Sequence, residues 1–167
     1  MEFCGKPLIA WSIEQAKASQ YIKDVYVSSD DDEILKVAME HGAIKIKRPQ
    51  ELATDSSLSE PALIHALGKM GNPDVVIFLQ ATSPVRETED IDGAIRRFVA
   101  TGADSLFSIS PSQEENGSIY IFGVDAFEKY KNRKAGHTIV YTMPKWKSHQ
   151  IDYPEDVKVC EYYMGLL

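Results

Sequence analysis

The chain has 167 residues, of which 44% are hydrophobic and 26% are charged, with a net charge of −7 at pH 7. This length and composition are typical of a single globular domain spanning 1–167, and they exclude a disordered or fibrous protein. The negative charge argues against a nucleic-acid partner, although basic residues focused in a cleft could still bind a small anion.

The sequence offers no sign of a membrane or disulfide-bonded protein. No apolar stretch approaches the roughly 20 residues that span a bilayer, and the N-terminus lacks the apolar core of a signal peptide. The two cysteines, Cys4 and Cys160, are too few for a disulfide framework or a metal site. We therefore expect no membrane partner and a cytoplasmic location.

Strands and helices alternate along the chain. The predicted strands are 23–28, 43–47, 74–79, 104–110, 118–122 and 138–143. Helix signals occur between most of them, and the helix after the acidic run 30–32 is expected to end at Gly42. The acidic run could bind a metal, but capping of that helix is favoured. This alternation predicts an α/β fold with a mostly parallel sheet.

The segment 74–86, DVVIFLQATSPVR, is the predicted centre of the fold. Its first half is a continuous apolar run, as expected for a strand that is buried on both faces. Polar residues follow where the strand ends, and open α/β sheets bind ligands at the carboxyl ends of their strands. From these residues alone, a ligand site and an ordinary strand-to-helix turn are equally compatible with the sequence.

Seven segments, taken in order, resemble the acylneuraminate cytidylyltransferases, also called CMP-N-acetylneuraminic acid (CMP-sialic acid) synthetases. They are CGKPLIAWSI, VSSDDDEI, RPQELATDSSLS, FLQATSPVR, GADSLFSIS, NGSIYIF and IDYPEDVKVCE. The resemblance implies a three-layer, Rossmann-like nucleotidyltransferase fold. It also implies the transfer of CMP from CTP to a nine-carbon 2-keto sugar acid, with release of pyrophosphate and a requirement for Mg²⁺ or Mn²⁺.

The resemblance also implies roles for particular residues in nucleotide and sugar binding. Arg48 and Ser59 match positions that hold the cytosine end of the nucleotide, although a surface ion pair and a helix cap are the structural alternatives. Gln80 matches a sugar-binding glutamine, whose amide can both donate and accept hydrogen bonds. Arg86 could bind a carboxylate or phosphate, and a salt bridge at the start of a helix is an equal alternative.

A second group of matching residues lies in the last third of the chain. Asn116 and Tyr120 match positions that contact the sugar acid, whereas the bland interpretation is a turn at Asn116-Gly117 followed by a packed tyrosine. The metal-binding segment of the family corresponds to Gln150-Ile151-Asp152. If this segment is extended, Gln150 and Asp152 face the same side, with Asp152 as the anionic ligand and catalytic residue.

The sequence departs from the family pattern in two places. The family's first strand and its Gly-Ser-Lys phosphate loop have no counterpart here, so we expect a sheet without its first, central strand. The insertion that the homodimeric family carries between Ile109 and Asn116 is reduced to SPSQEE. We therefore expect little CTP-dependent activity from these 167 residues alone, because phosphoryl-type transfer depends on positioning and charge neutralisation.

Three functions remain open. The first is a CMP-sugar-acid synthetase that uses CTP and a sialic-acid-like sugar. The second is a non-catalytic remnant of that family that still binds the sugar acid or the nucleotide. The third is a cytidylyltransferase for another sugar acid, such as 3-deoxy-octulosonate.

Overall fold

The computed structural model describes residues 1–53 and 59–167. The helices in these ranges are α1 (Leu8–Lys17), α2 (Asp32–Glu40), α3 (Ser59–Leu67), α4 (Thr88–Thr101), α5 (Val124–Tyr130) and α6 (Pro154–Met164). The strands are β1 (Glu2–Phe3), β2 (Lys6–Pro7), β3 (Tyr26–Ser29), β4 (Ile44–Lys47), β5 (Val75–Leu79), β6 (Ser105–Ile109), β7 (Glu115–Gly123) and β8 (Thr138–Thr142). Short 3₁₀ turns occupy Gln50–Leu52 and Lys145–Lys147.

The main sheet has four strands in the order β5-β7-β6-β8. Strands β6 and β8 are parallel, whereas β7 runs antiparallel to both of its neighbours. A short connection joins β6 to β7, which permits an antiparallel pair, while the helix α4 carries the chain across from β5 to β6. The predicted α/β class is confirmed, and the sheet is mixed because β7 is reversed.

Two smaller sheets accompany the main one. Strands β3 and β4 form a parallel pair, and β1 and β2 form a short antiparallel pair. Within the described ranges, no hydrogen-bonded ladder joins the β3–β4 pair to the four-stranded sheet. The helices α1 and α2 pack on the β3–β4 pair around Ile13, Val27 and Leu35.

The main sheet is covered by helices on both faces, which gives three layers. One face packs against α4, in a core that contains Ile91, Ala94, Ile95, Phe98, Leu106, Ile119 and Ile121. The other face packs against α3 and α5, in a core that contains Leu63, Phe122 and Phe127 with Val76 and Phe78. Alternate residues of β5 and β7 therefore point into different cores, as expected for strands.

The caps of α2 agree with the sequence prediction. The Asp31 carboxylate accepts hydrogen bonds from the backbone N–H groups of Glu33 and Ile34, at 2.7 and 3.3 Å. Gly42 follows the helix with a φ of +80°, a conformation that suits glycine. The acidic run 30–32 is thus used in part as the predicted cap.

The predicted turn at Asn116-Gly117 is wrong, because both residues lie inside β7. In the β6–β7 ladder, Phe107 pairs with Tyr120 and Ile109 pairs with Glu115. Ser108 is therefore the single β6 residue opposite the four β7 residues 116–119. This bulge brings Gly117 to a φ of +66°. A turn dipeptide and a bulge both favour glycine at a positive φ, and the sequence does not distinguish them.

The longest helix in the part of the chain that the structure describes is α4, with 14 residues. No helix in these ranges has the length and apolar character that crossing a membrane requires.

Candidate functional site

Two glutamine carboxamides meet above Gly117 at the carboxyl end of β5. A methyl group at Gly117 would lie 2.6 Å from Gln150 Oε1 and would also collide with Gln80 Oε1. Gln80 follows β5 directly, and the backbone N–H of Ile151 donates to the Thr82 carbonyl at 2.8 Å, which ties the two segments together. The structure therefore brings Gln80 and Gln150 together, with glycine providing the space.

Asn116 organises the bulge from inside the protein. Its side chain is 2% exposed; Oδ1 accepts from Ser108 Oγ at 2.5 Å, and Nδ2 donates to Ser148 Oγ at 3.0 Å. Ser108 Oγ in turn accepts from the backbone N–H of Ile119 at 2.8 Å. The described contacts of Asn116 are thus made within the protein, and they position Gly117 rather than reach outward.

Tyr120, with 3% of its surface exposed, forms a floor under the loop after α5, on the α3 and α5 side of the sheet. Its ring lies 5.7 Å from that of Phe78, and its hydroxyl donates to Glu115 Oε1 at 2.5 Å. Burial, the hydrogen bond to Glu115 and the charge of that carboxylate raise the pKa of Tyr120 to about 12. The phenol is therefore a neutral donor throughout the physiological pH range.

Two basic residues of the loop after α5 cover this floor. The Arg133 guanidinium carbon lies 4.6 Å from the centre of the Tyr120 ring, and Nη1 donates to Glu60 Oε1 at 2.7 Å. Lys134 Nζ donates to Glu115 Oε2 at 2.6 Å and lies 5.1 Å from the centre of the Phe107 ring. Cations stack favourably on aromatic faces, so the loop and the sheet stabilise each other.

Arg86 lies inside the protein, with 0% of its surface exposed. Nη1 donates to the carbonyls of Ser83 and Ser118 at 2.8 and 3.1 Å, and Nη2 donates to Ser12 Oγ at 2.5 Å. Burial, opposed by the charge of Asp90, lowers the pKa of this guanidinium to about 9. This burial does not support the predicted contact of Arg86 with a carboxylate or phosphate; its visible role is to hold the loop after β5.

The loop after β5 is also held from α1. Gln15 Nε2 donates to the carbonyls of Pro84 and Arg86, at 3.1 and 2.7 Å. Thr88 Oγ1 donates to the carbonyl of Gln15 at 3.0 Å. Buried side-chain donors thus replace regular ladder hydrogen bonds where the strand has ended.

Lys147 fixes the segment that leads to Gln150. Its side chain is 8% exposed, and Nζ donates to Glu87 Oε2 and Asp90 Oδ2 at 2.6 and 2.7 Å. Burial lowers the pKa of this amine, but the hydrogen bonds to the two carboxylates outweigh it, so the pKa is raised overall. A charged lysine therefore links the 3₁₀ turn 145–147 to the start of α4.

The two residues matched to nucleotide binding lie at element ends. Arg48 follows β4, its backbone N–H donates to the Ser29 carbonyl at 2.9 Å, and Nη2 lies 3.8 Å from Asp30 Oδ1. It is thus at the carboxyl end of the β3–β4 pair, where open sheets bind ligands. Ser59 is the first residue of α3, next to Glu60, and the preceding residues 54–58 lie outside the described residues.

The predicted metal segment is not a strand. Asp152 is an exposed bend residue, and its backbone N–H donates to Asp156 Oδ2 at 3.0 Å as part of the start of α6. Gln150 instead directs its carboxamide to Gly117. Among the described residues, no three His, Cys, Asp or Glu side chains group together as a metal site. Of the two predicted metal ligands, Gln150 and Asp152, Asp152 is the one with a carboxylate.

The sequence pattern does not reveal five members of this arrangement, which are Gly117, Arg133, Lys134, Glu60 and Glu115. Asn116-Gly117 is typical of a turn, and the basic loop 131–136 contains no motif that gives its side chains a role. Glu60 and Glu115, which pair with that loop, lie 73 and 19 residues from their partners. Only the cluster of basic residues in a short loop could have drawn attention to Arg133 and Lys134.

Comparisons with known proteins show the family and the fold of the chain. A family model described as cytidylyltransferase matches residues 1–135. The pseudaminic acid cytidylyltransferase of Campylobacter jejuni is 32% identical over 155 residues, which cover 84% of this chain and 66% of that protein. The N-acylneuraminate cytidylyltransferase A of Danio rerio is 37% identical over 105 residues, which cover 63% of this chain and 24% of that protein.

Among solved structures, a CMP:2-keto-3-deoxy-manno-octonic acid synthetase complexed with CTP has a similar fold. The TM-score is 0.78 at 15% sequence identity, and the match covers 99% of this chain and 90% of that one. At this identity the similarity concerns the fold alone. The chain spans about a quarter to two thirds of the length of the two curated relatives described above.

Proposed function

The chain belongs to the cytidylyltransferase family, and on that premise we propose that it transfers CMP from CTP to a sugar acid. The proposed acceptor is a nine-carbon 2-keto sugar acid of the sialic acid type. The names of the curated relatives, which include N-acylneuraminate and pseudaminic acid cytidylyltransferases, support this choice. In the reaction, the anomeric oxygen of the sugar bonds to the α-phosphorus, the bond to the β-phosphate breaks, and pyrophosphate and a proton are released.

The observation that carries the proposal is the convergence of Gln80 and Gln150 above Gly117. A carboxamide presents both donors and an acceptor, so two of them can bind the hydroxyl and N-acyl groups of a sugar at several points. Tyr120 is 3% exposed and packs between Phe78 and Arg133, so in this proposal it supports the site from below. Asn116 and Arg86 have positioning roles in this proposal, because both are buried and bonded inside the protein.

The nucleotide is proposed to bind toward Arg48 and Ser59. Arg48 is half-buried at the carboxyl end of β4, and its ion pair with Asp30 is long, at 3.8 Å. A guanidinium with such a weak partner can turn to a cytosine carbonyl at little cost. The Ser59 hydroxyl, at the start of α3, could bind the base beside it.

A divalent metal, Mg²⁺ or Mn²⁺, is proposed to bind at Asp152 with the triphosphate. The donor that the chain offers is the exposed Asp152 carboxylate, because Gln150 directs its carboxamide to Gly117; a single carboxylate suits an ion that keeps several waters and binds substrate phosphates. When bound, the metal would neutralise charge on the phosphates. Asp152→Asn should raise the Mn²⁺ concentration needed for half-saturation, measured by water proton relaxation with CTP present. An unchanged Mn²⁺ titration would exclude Asp152 as a ligand.

Calorimetry with the purified chain is the direct test of the function. The chain would be titrated with CTP, and then, with CTP and Mg²⁺ present, with N-acetylneuraminic, pseudaminic, legionaminic and 3-deoxy-octulosonic acids. We expect binding of CTP and of at least one nine-carbon acid, and weaker binding of that acid by Gln80→Ala. Gln20→Ala, at an exposed position after the end of α1, is the matched control.

The other outcomes separate the remaining functions. Binding of a nine-carbon acid without any binding of CTP would favour a sugar-acid-binding protein over a transferase. Preference for 3-deoxy-octulosonic acid would favour the eight-carbon substrate class. If no sugar acid binds under any of these conditions, the proposed function is refuted. Where CTP and a sugar acid both bind, chromatography of their mixture with the chain and Mg²⁺ shows whether a CMP-sugar forms.

A further inference from the structure

The loop 131–136 places the guanidinium of Arg133 over the ring of Tyr120. Arg133 stacks over Tyr120 at 4.6 Å and lies 5.8 Å from the centre of the Phe78 ring. Gln80 lies two residues beyond Phe78, which is about 7 Å along an extended chain. Arg133 thus stacks on rings of β5 and β7, the strand that leads to Gln80 and the strand that contains Gly117.

Only part of the Arg133 guanidinium has a hydrogen-bond partner among the described residues. Nη1 donates to Glu60 Oε1 at 2.7 Å, and the guanidinium also interacts with the Tyr120 hydroxyl. Nε is shielded from solvent and has no acceptor. A buried donor without an acceptor is costly, and such groups in folded proteins often mark the place of a ligand. The edge formed by Nε and Nη2 is also the edge that a carboxylate can bind in two-point fashion.

Two carboxylates hold the basic loop in place without occupying that edge. Glu60 lies at the start of α3, and Glu115 at the start of β7 accepts from both Lys134 and Tyr120. The side chains of Lys134 and Glu115 are each about one third exposed, at 35% and 34%, so water weakens their interaction with an incoming anion. Arg133 is more enclosed, at 14%, and its attraction for an anion is screened less.

The loop also has the means to adjust to a ligand. It begins at Lys131 and ends at Gly136, both with positive φ values, +52° and +74°. The segment between them is tied to the body of the protein mainly by the Arg133 and Lys134 side chains, with further contacts of Ala135 and Gly136 to Ser105 and Thr138. A small shift of the Arg133 side chain would thus expose the Nε edge to the site.

We propose that Arg133 binds the carboxylate of the sugar acid and determines the preference for an acidic over a neutral sugar. Glu60 and Tyr120 orient the guanidinium, while Gln80 and Gln150 bind the uncharged part of the sugar. Arg133 takes the role that sequence reasoning assigned to Arg86, whose donors face backbone carbonyls inside the protein. This inference rests on the proposed function, because it assigns a specificity-determining residue to the same site.

The test compares N-acetylneuraminic acid with its methyl ester, which has the same shape but no carboxylate charge. With CTP present, the wild-type chain should bind the acid at least 10-fold more tightly than the ester. Arg133→Ala should bind both equally, and its affinity for the acid should fall by about 10- to 100-fold. Arg133→Lys should recover part of the preference, because it restores the charge without the two-point geometry.

Lys129→Ala is the matched control, since it removes a nearby basic residue on the exposed end of α5 without touching the network. It should leave the acid-to-ester ratio and the affinity for CTP unchanged, and Arg133→Ala should likewise leave the affinity for CTP unchanged. Thermal unfolding of each variant separates binding from folding.

The outcomes distinguish the two proposals. If the wild-type chain prefers the acid and Arg133→Ala keeps the same preference, Arg133 is a structural ion-pair residue and this inference is overturned, while the proposed function stands. A fall in the unfolding temperature of Arg133→Ala with an unchanged acid-to-ester ratio leads to the same conclusion. If the wild-type chain binds neither acid nor ester, and none of the other sugar acids, the proposed function fails and the inference fails with it.

Discussion

Replacing Gly117 by alanine tests the site at its centre. The added methyl group would meet Gln150 Oε1 at 2.6 Å, whereas ordinary contact begins near 3.4 Å, so this oxygen must retreat by about 0.8 Å. Gln80 Oε1 must retreat as well. A misplacement of this size at a binding site typically reduces the rate or affinity by about 10- to 100-fold. We expect that loss in the affinity for the sugar acid, measured by calorimetry with CTP present.

The backbone contributes a separate and predictable cost. Gly117 has a φ of +66°, and a residue with a side chain in this region loses about 1 kcal/mol or somewhat more. Gly102, at the end of α4, has a φ of +60° with no atom within 4 Å of an added methyl group. Gly102→Ala therefore carries the same backbone cost without crowding the carboxamides, and it is the matched control.

The two variants should thus lose similar amounts of unfolding free energy from the backbone, while only Gly117→Ala loses affinity. For a chain of this size, 1 kcal/mol corresponds to a shift of about 2–4 °C in the unfolding temperature. The reasoning is refuted if Gly117→Ala binds the sugar acid as tightly as Gly102→Ala does. In that case the carboxamides of Gln80 and Gln150 would not be part of the binding site.

Three further predictions concern buried polar groups. Lys147→Ala should destabilise the protein by about 3 kcal/mol in urea unfolding, because it leaves the buried Asp90 carboxylate without its cation. Because the pKa of Lys147 is raised, its ion pairs should contribute fully below the ordinary lysine pKa of about 10.4 and be lost as the pH rises through the raised pKa; a variant-to-wild-type difference that already disappears well below the ordinary pKa would contradict the assignment. The pKa of the Tyr120 phenol is about 12, so Tyr120→Phe should remove the phenol that titrates at the highest pH when the eight tyrosines are titrated by ultraviolet absorbance. If the absorbance change at the highest pH is the same in the variant, another tyrosine is responsible for it. Arg86→Met should lower the free energy of unfolding by about 3 kcal/mol or more, because it leaves buried carbonyls unpaired. Arg96→Met, at an exposed position, should change the free energy of unfolding little. Equal effects of the two substitutions would show that the hydrogen bonds of Arg86 do not stabilise the protein.

The elements of the fold were largely predictable from local patterns. The amphipathic pattern of α4 corresponds to one buried face, so periodicity was a sufficient signal there. The expectation that 74–79 is a central strand buried on both faces is wrong, because β5 is an edge strand of the main sheet, with Val75 40% exposed and residues 76–79 only partly buried. The resemblance to the cytidylyltransferases predicted the class of fold, which the family match and the solved structures support. The short β1–β2 pair was missed, since two-residue strands carry no periodic signal.

The candidate site was harder to predict, because its geometry depends on residues far apart in the sequence. The resemblance to the cytidylyltransferases singled out Gln80, and its carboxamide lies beside that of Gln150 next to Gly117; its contact with a sugar stays a prediction. Arg86 has the same local context, only six residues later, yet its side chain turns into the protein toward Ser12 and Ser118. Which of two polar residues faces outward is decided by partners from α1 and β7, and a local pattern contains no information about them.

The place of β7 in the sheet has a consequence for how the chain folds during synthesis. Strands β5 and β6 are consecutive in the chain, but β7 lies between them in the sheet. The apolar β5 therefore emerges from the ribosome with no described partner until residue 123 has been made, 44 residues after Leu79. At about 5–20 residues per second, this interval lasts roughly 2–9 seconds. During that time the edge of β5 is open to pairing with other nascent chains. A chaperone that binds extended apolar segments would bind β5 in this interval.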